Sequence, residues 1–177
     1  MQTIEIRPLT RDEVVSVWQI ERREIVQEVY RFADGRLQLH SEFYDTHDWP
    51  DGEPELYTPI LLECYDHGGT FTGAFAGGKL VAAAVVDARP VTDYPQYRQL
   101  SFLHVSHDWR GHGLASRLYR KSMQIVKEQG AVGFYISSTS TRHTVEFYLH
   151  QGSHPIGQPD QKLYALEPDD IHLIHQF

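Results

Sequence analysis

The residues best spaced for chemistry lie in Leu100–Ser116, LSFLHVSHDWRGHGLAS. An apolar run passes through a short polar turn into Arg110-Gly-His-Gly-Leu-Ala115 and then into an amphipathic segment. Gly111 and Gly113 remove side chains where the chain would enter a helix, so a ligand can approach the backbone closely. The free N–H groups of a first helical turn point outward, and the helix dipole adds positive potential; together they suit a pyrophosphate. Arg110 adds a charge at the rim. The turn is not a P-loop, because no Gly-Lys-Ser/Thr closes it, and it is not the GxGxxG dinucleotide fingerprint. Taken alone, it also fits a plain strand-to-helix connection.

Other reactive residue types are less well placed. Eleven histidines include the pairs His104/His107, His150/His154 and His172/His175, but no Cys ligands or HExxH pattern accompany them, so no metal is expected. The single cysteine, Cys64, cannot form an internal disulfide and points to a reducing, cytoplasmic setting. No spacing gives it a base, so it reads as a small buried thiol. Asp45–Glu55, DTHDWPDGEPE, sets five carboxylates around Trp49. It reads either as a solvated acidic loop or as a lid offering charge and an aromatic face to a cation.

The elements that must position these residues follow from pattern. Thr3–Arg7 reads as a first strand. Thr10 and Glu13 form a capping box, and Val14, Trp18, Ile25 and Val29 at near-helical spacing predict one long helix. Asp34-Gly35 is a turn, and Arg36–Tyr44 alternates as a strand with Leu37, Leu39 and Phe43 on one face. Asp45–Pro59 reads as a loop, and Ile60–Tyr65 is open between helix and strand. Thr70–Ala76, Gly77-Gly78 and Lys79–Ala88 make a hairpin. Arg89–Gln99 is a loop, Leu100–Val105 a strand and Arg110–Gln129 a helix closed by Gly130. Ala131–Ser137 is a strand, Thr141–His150 a helix, and Lys162–Leu166 a last strand. The order predicts an α/β domain with a mixed central sheet flanked by helices.

The chain has 177 residues, suited to one domain spanning 1–177. No run is long and apolar enough to span a bilayer, and MQTIEIRPLT lacks the pattern of a secretory signal. Residues 1–70 carry fifteen Asp and Glu against six Arg, a net of −9, whereas residues 71–177 carry nine against ten Lys and Arg, a net of +1. An acidic first half argues against nucleic acid and for a small cationic partner, although solvated surface carboxylates would give the same count.

Arg110-Gly-His-Gly-Leu-Ala115 resembles the Arg/Gln-x-x-Gly-x-Gly/Ala signature of the GNAT superfamily of acetyl-CoA-dependent N-acetyltransferases at every defined position. Thr144–Gly152, TVEFYLHQG, resembles that family's second motif, a tyrosine on a short helix ahead of a glycine, with Tyr148 at the tyrosine position. The resemblance covers Thr70–Leu166 in order and spacing and the first elements more loosely. It implies the GNAT fold, with main-chain groups of Leu103, His104 and Val105 pairing with the pantetheine arm of acetyl-CoA. Main-chain N–H groups of Arg110, Gly111, His112, Gly113, Leu114 and Ala115 would cradle the pyrophosphate. An N–H near Val105 would polarise the thioester carbonyl, and Tyr148 would protonate the departing thiolate. The second motif commonly opens with Asn; here Thr141 stands there and can still bond the cofactor arm. A glutamate four residues before the Val105 position serves many members as general base; here it is Ser101.

That departure leaves the base open. An alkyl ammonium with a pKa of about 10.4 is almost wholly protonated at neutral pH, so a proton acceptor is needed. A water ordered by Ser101, Glu63, Glu42 and His104 are the candidates, and each also fits a structural or surface role. Together these features imply transfer of acetyl from acetyl-CoA by direct attack of the primary amine of a small cationic acceptor on the thioester. A protein amine is the second choice, and a non-catalytic acyl-CoA sensor is the rival from another class. The expected partners are acetyl-CoA and a small amine, with no nucleic acid, metal or membrane. The resemblance leaves room for a homodimer, the state of many relatives.

Overall fold

The computed structural model describes residues 3–177. β1 (Ile4–Pro8) leads into a 3-10 segment, Arg11–Gln19, followed by β2 (Glu24–Ala33), β3 (Arg36–Thr46) and α1 (Glu53–Asp66). β4 (Thr70–Ala76), β5 (Lys79–Pro90) and β6 (Tyr97–Val105) come next, then α2 (Leu114–Glu128), β7 (Gly133–Ser138) and α3 (Arg142–His150). The chain ends with β8 (His154–Pro155), α4 (Gln161–Leu166) and β9 (Ile171–Gln176). Seven strands form one mixed sheet in the order β1-β4-β5-β6-β7-β9-β8, in which β6 and β7 are parallel. β2 and β3 form a separate hairpin.

The central strands are apolar on both faces, as buried strands must be. On one face Ala82, Ala84, Leu100, Phe134 and Ile136 pack under Leu114, Leu118 and Val126 of α2 and Val145 of α3. On the other, Ala83, Val85 and Phe102 pack under Val14 and Val17 of the 3-10 segment and Leu61 and Cys64 of α1. The sheet is therefore a partition, with α2 and α3 on one side and α1 on the other.

Three expectations are corrected. The single long helix does not form. Thr10 and Glu13 make the capping box, but the 3-10 segment stops at Gln19 and Glu24–Ala33 is a strand. Ile25 and Val29, four apart, imitate a helix, but Ile25 is exposed and Val29 buried, with a register irregularity between Val26 and Glu28. β-branched and aromatic residues suit the strand instead, and the turn at Asp34 (φ 53°) and Gly35 (φ 74°) has the two positive φ angles of a tight hairpin. The expected loop Asp45–Pro59 is cut short because α1 begins at Glu53, with Pro54 in its first turn, where a missing N–H costs nothing. The expected strand Lys162–Leu166 is α4, capped by Asp160, whose Oδ1 accepts from the Leu163 N–H at 3.0 Å. The last strand lies five residues further on, at Ile171–Gln176.

Candidate active site

The site begins where the sheet splits. β6 pairs with β7 only from Tyr97 to Gln99, against Gly133–Tyr135; beyond that the parallel strands part. On its other side β6 stays paired with β5, Val85 facing Phe102 and Val86 facing Leu100, so Ser101 is the extra residue of a bulge. The Ser106 N–H donates to the Val81 carbonyl at 2.8 Å. Antiparallel alternation then turns the main chains of His104 and Phe102 toward β5 and those of Leu103 and Val105 into the gap. Of the groups facing the gap, the Val105 carbonyl accepts from Arg110 Nε at 3.1 Å.

The gap leads into the glycine turn. Gly111 and Gly113 have φ of +77° and +74°, and a Cβ on either would meet nothing within 4 Å, so the turn is open on its outer side. Gly113 caps α2 in the left-handed conformation, which favours glycine, and α2's first amides lack intrahelical acceptors. His112 is exposed, Leu114 sends its side chain into the core, and Ala115 is half-buried. Arg110 turns away from the cradle. Its guanidinium bonds the carbonyls of Val105 and Arg22 and lies 3.7 Å from Glu24. What the glycine turn presents on its open side is thus main chain.

Tyr148 projects from α3 into the α2–α3 layer, 6% exposed, with its ring against Phe147 and Tyr119. Burial first, then the neighbouring Tyr119 and Asp170, push its phenol well above the ordinary range. The hydroxyl has no hydrogen-bond partner among the described residues, so it remains a protonated donor with its bond unspent. Thr141 caps α3 and is buried. Its Oγ1 accepts from the Thr144 N–H at 3.4 Å and donates to Thr144 Oγ1 at 2.9 Å. It also borders a cavity of about 300 Å³ between β2 and α3, with Glu28 and Arg142 on its walls.

The four candidate bases lie apart from one another. Ser101 is exposed on the bulge, its Oγ 3.4 Å from the Val85 carbonyl. Glu63, on α1, is exposed and ion-paired with Arg89 at 2.9 Å. Glu42, on β3, pairs with Arg31 at 3.4 Å on the outer face of the hairpin. The His104 ring is wedged between Phe102 and Trp49, at 4.6 and 4.9 Å. Burial, then the positive charges of Arg22 and Arg110, push its pKa down to about 3, so it is a neutral imidazole of low basicity. Trp49 does reach over β6 from its acidic loop. Its ring stacks on Phe102 at 5.7 Å and carries the Arg22 guanidinium 5.2 Å from its centroid, and its Nε1 donates to the Ile20 carbonyl at 2.9 Å. Burial raises the Cys64 thiol to about 12, so it is inert. His172 and His175 spend their Nδ1 atoms on the hydroxyls of Tyr135 and Tyr119.

Sequence reasoning missed Asp170. Its Oδ2 accepts from Ser137 Oγ at 2.7 Å, and burial raises its pKa to about 6. Around it stand Arg22, Tyr57 of α1 and Glu167. The Tyr57 hydroxyl donates to Glu167, and Arg22 pairs with Glu53 at 3.2 Å. The one signal in the sequence was the acidic triplet around Pro168, Glu167-Pro-Asp-Asp170, immediately before an apolar alternating segment.

The model of the acetyltransferase (GNAT) family matches residues 34–152, from the β2–β3 turn to the glycine after α3. The chain belongs to the acetyltransferase (GNAT) family. Among curated GNAT-like relatives it is similar to N-acetyltransferase 8F1 of Mus musculus, 34% identical over 96 residues, which are 52% of this chain and 42% of that protein. It is also similar to N-acetyltransferase 8B of Mus musculus, 35% identical over 96 residues, 52% of this chain and 40% of that one. The matched segment thus spans about two-fifths of either relative. The GNAT fold is shared over nearly the whole chain with nourseothricin acetyltransferase, at a TM-score of 0.73, 17% identity and 98% coverage of both chains. It is shared equally with a Bacillus anthracis str. Ames structure described as a streptothricin acetyltransferase in complex with acetyl coenzyme A, at a TM-score of 0.74, 16% identity and 99% coverage of both chains. Among the described residues of this GNAT chain, no helix is long and apolar enough to cross a membrane.

Proposed function

We propose that this protein transfers the acetyl group of acetyl-CoA to a primary amine of a small cationic acceptor. The observation that carries the reading is the split of β6 from β7 beyond Gln99 and Tyr135, which opens onto the glycine turn at Gly111–Gly113. An extended amide-bearing arm fits there as a missing strand. The Leu103 N–H and C=O and the Val105 N–H are its available partners. The N–H groups of Gly111 to Ala115 and the N-terminal end of α2 hold its pyrophosphate, with Thr141 bordering the same side. An N–H near Val105 stabilises negative charge on the thioester oxygen as it develops, and Tyr148, kept protonated by burial, supplies a proton to the sulfur.

The charge on the other side of the partition supports a cationic acceptor. Glu53, Glu167 and Asp170 line the region between α1 and the α4–β9 turn, and among the described residues Arg22 is the cation that offsets them. That balance favours a cation. The fold neighbours named for nourseothricin and streptothricin make polycationic antibiotics reasonable first acceptors to try.

Calorimetry with acetyl-CoA, beside a Gly113→Trp variant whose ring fills the cradle, tests the reading. The expected result is micromolar binding that disappears in the variant, followed by thiol release with at least one of nourseothricin, spermidine and kanamycin. No binding of acetyl-CoA to the unaltered protein at sub-millimolar concentration would overturn it.

A further inference from the structure

The amine's proton has no ready destination among the four candidate bases, because Ser101 carries no charge and His104, Glu63 and Glu42 are otherwise engaged. Side-chain alternation along β7 supplies one. Phe134 and Ile136 point into the α2–α3 layer, so Ser137 points to the other layer, on the side of α1. Ser137 Oγ holds the Asp170 carboxylate there at 2.7 Å. Ser137 lies on the part of β7 that has left β6, so the carboxylate it holds lies on the α1 face of the sheet beside a strand that bounds the gap. Tyr148 packs on the opposite face, in the α2–α3 layer. The two are close enough that the Asp170 charge contributes to raising the Tyr148 phenol, and the Tyr148 hydroxyl has no hydrogen-bond partner among the described residues.

We propose that Asp170 is the proton acceptor for the incoming amine, placed by Ser137 across the β6–β7 gap from Tyr148. The assignment rests on the acetyl-transfer reading. The Asp170 carboxylate takes one proton from the substrate ammonium. The freed lone pair forms the N–C bond at the thioester carbon. As the C–S bond breaks, Tyr148 gives its phenolic proton to the sulfur and recovers one from the new amide nitrogen, while Asp170 passes its own to solvent. The balance is one amide, one thiol and one released proton.

The groups facing Asp170 tune it. Burial raises its pKa to about 6, the Ser137 hydrogen bond lowers it, Glu167 raises it, Arg22 lowers it and Asp169 raises it; Tyr57 of α1 faces the same charge. A carboxyl so raised is a stronger base than a free aspartate and still ionised at pH 7.

The test uses the full chain with nourseothricin or spermidine as acceptor. Asp170→Asn should bind acetyl-CoA as the unaltered protein does and leave KM for acetyl-CoA in place, while kcat falls on the order of 100- to 1000-fold. The rise of activity through about pH 6 should vanish in Asp170→Asn. In Ser137→Ala it should move to higher pH, because a hydrogen bond that lowers the pKa is gone, and the plateau should fall, because the carboxylate is no longer held in place. Asp170→Asn turning over within about threefold of the unaltered protein from pH 6 to 9 would overturn the assignment. Titration of the Asp170 carboxyl by 13C NMR needs no acceptor, and so separates this inference from the acceptor reading. A midpoint near 6 that moves when acetyl-CoA binds supports it even if neither amine is acetylated. A midpoint near 4, or one indifferent to bound acetyl-CoA, sinks it.

Discussion

The two sides of the β6–β7 gap are built from different materials. The side that faces the glycine turn is main chain. Leu103 and Val105 present backbone groups, and Gly111 and Gly113 present a helix start cleared of side chains. The opposite side is side-chain chemistry gathered from separate segments: Arg22 ahead of β2, Glu53 and Tyr57 on α1, Glu167 and Asp170 ahead of β9. A ligand common to many proteins can be held by backbone, whose geometry a short motif dictates. A ligand particular to one protein is held by charges that converge only once the chain has folded. The first kind of site is written locally, and the second is distributed.

The largest effect on either side of the gap is expected at Tyr148. Tyr148→Phe keeps the ring packed against Phe147 and removes only the hydroxyl; kcat should drop on the order of 100- to 1000-fold, about 3–4 kcal/mol, with acetyl-CoA binding by calorimetry unchanged. Equal turnover would leave the α3 side with no part in the chemistry. Next comes Trp49, the ring that ties the acidic loop to β6. Trp49→Ala should cost about 2–3 kcal/mol in urea denaturation, less than the loss of a fully buried ring, and should raise KM for the amine more than for acetyl-CoA. If both KM values moved together, the division between the sides would not hold. A smaller effect is expected at the α3 cap, where Thr141→Ala should cost about 1 kcal/mol in the same denaturation experiment. The smallest concerns Glu63→Gln. Its ion pair with Arg89 is exposed, so stability should change by less than about 0.5 kcal/mol and kcat by less than about twofold. A hundredfold loss of kcat there would transfer the base from Asp170 to α1.

What could be seen in the sequence follows the same division. The hairpin at Gly77-Gly78, the amphipathic α2 and the Thr141 cap of α3 are local patterns, and each element forms close to where its pattern lies. The first seventy residues misled because β2 carries Ile25 and Val29 four apart across a register irregularity, a spacing that a periodicity reading takes for a helix. Pro54 and Pro59 hid the start of α1, since a proline is read as a break although the first turn tolerates one. α4 is a six-residue helix whose alternating KLYAL resembles a strand. Asp170 left almost no local trace. Its partner Ser137 is 33 residues away, and Arg22 lies near the other end of the chain.

Leu103 and Val105 sit on a middle strand of a seven-stranded sheet, yet on one side their backbones are those of an edge. Their amides should exchange with deuterium at rates otherwise found at the rim of a sheet, and slow when the gap is filled. A ligand at a hundred times its dissociation constant adds about 2.7 kcal/mol to the folded state. For a protein whose sheet is completed by a metabolite, heat tolerance and resistance to proteolysis become functions of cellular supply, and the fold itself reports on how much of that metabolite is at hand.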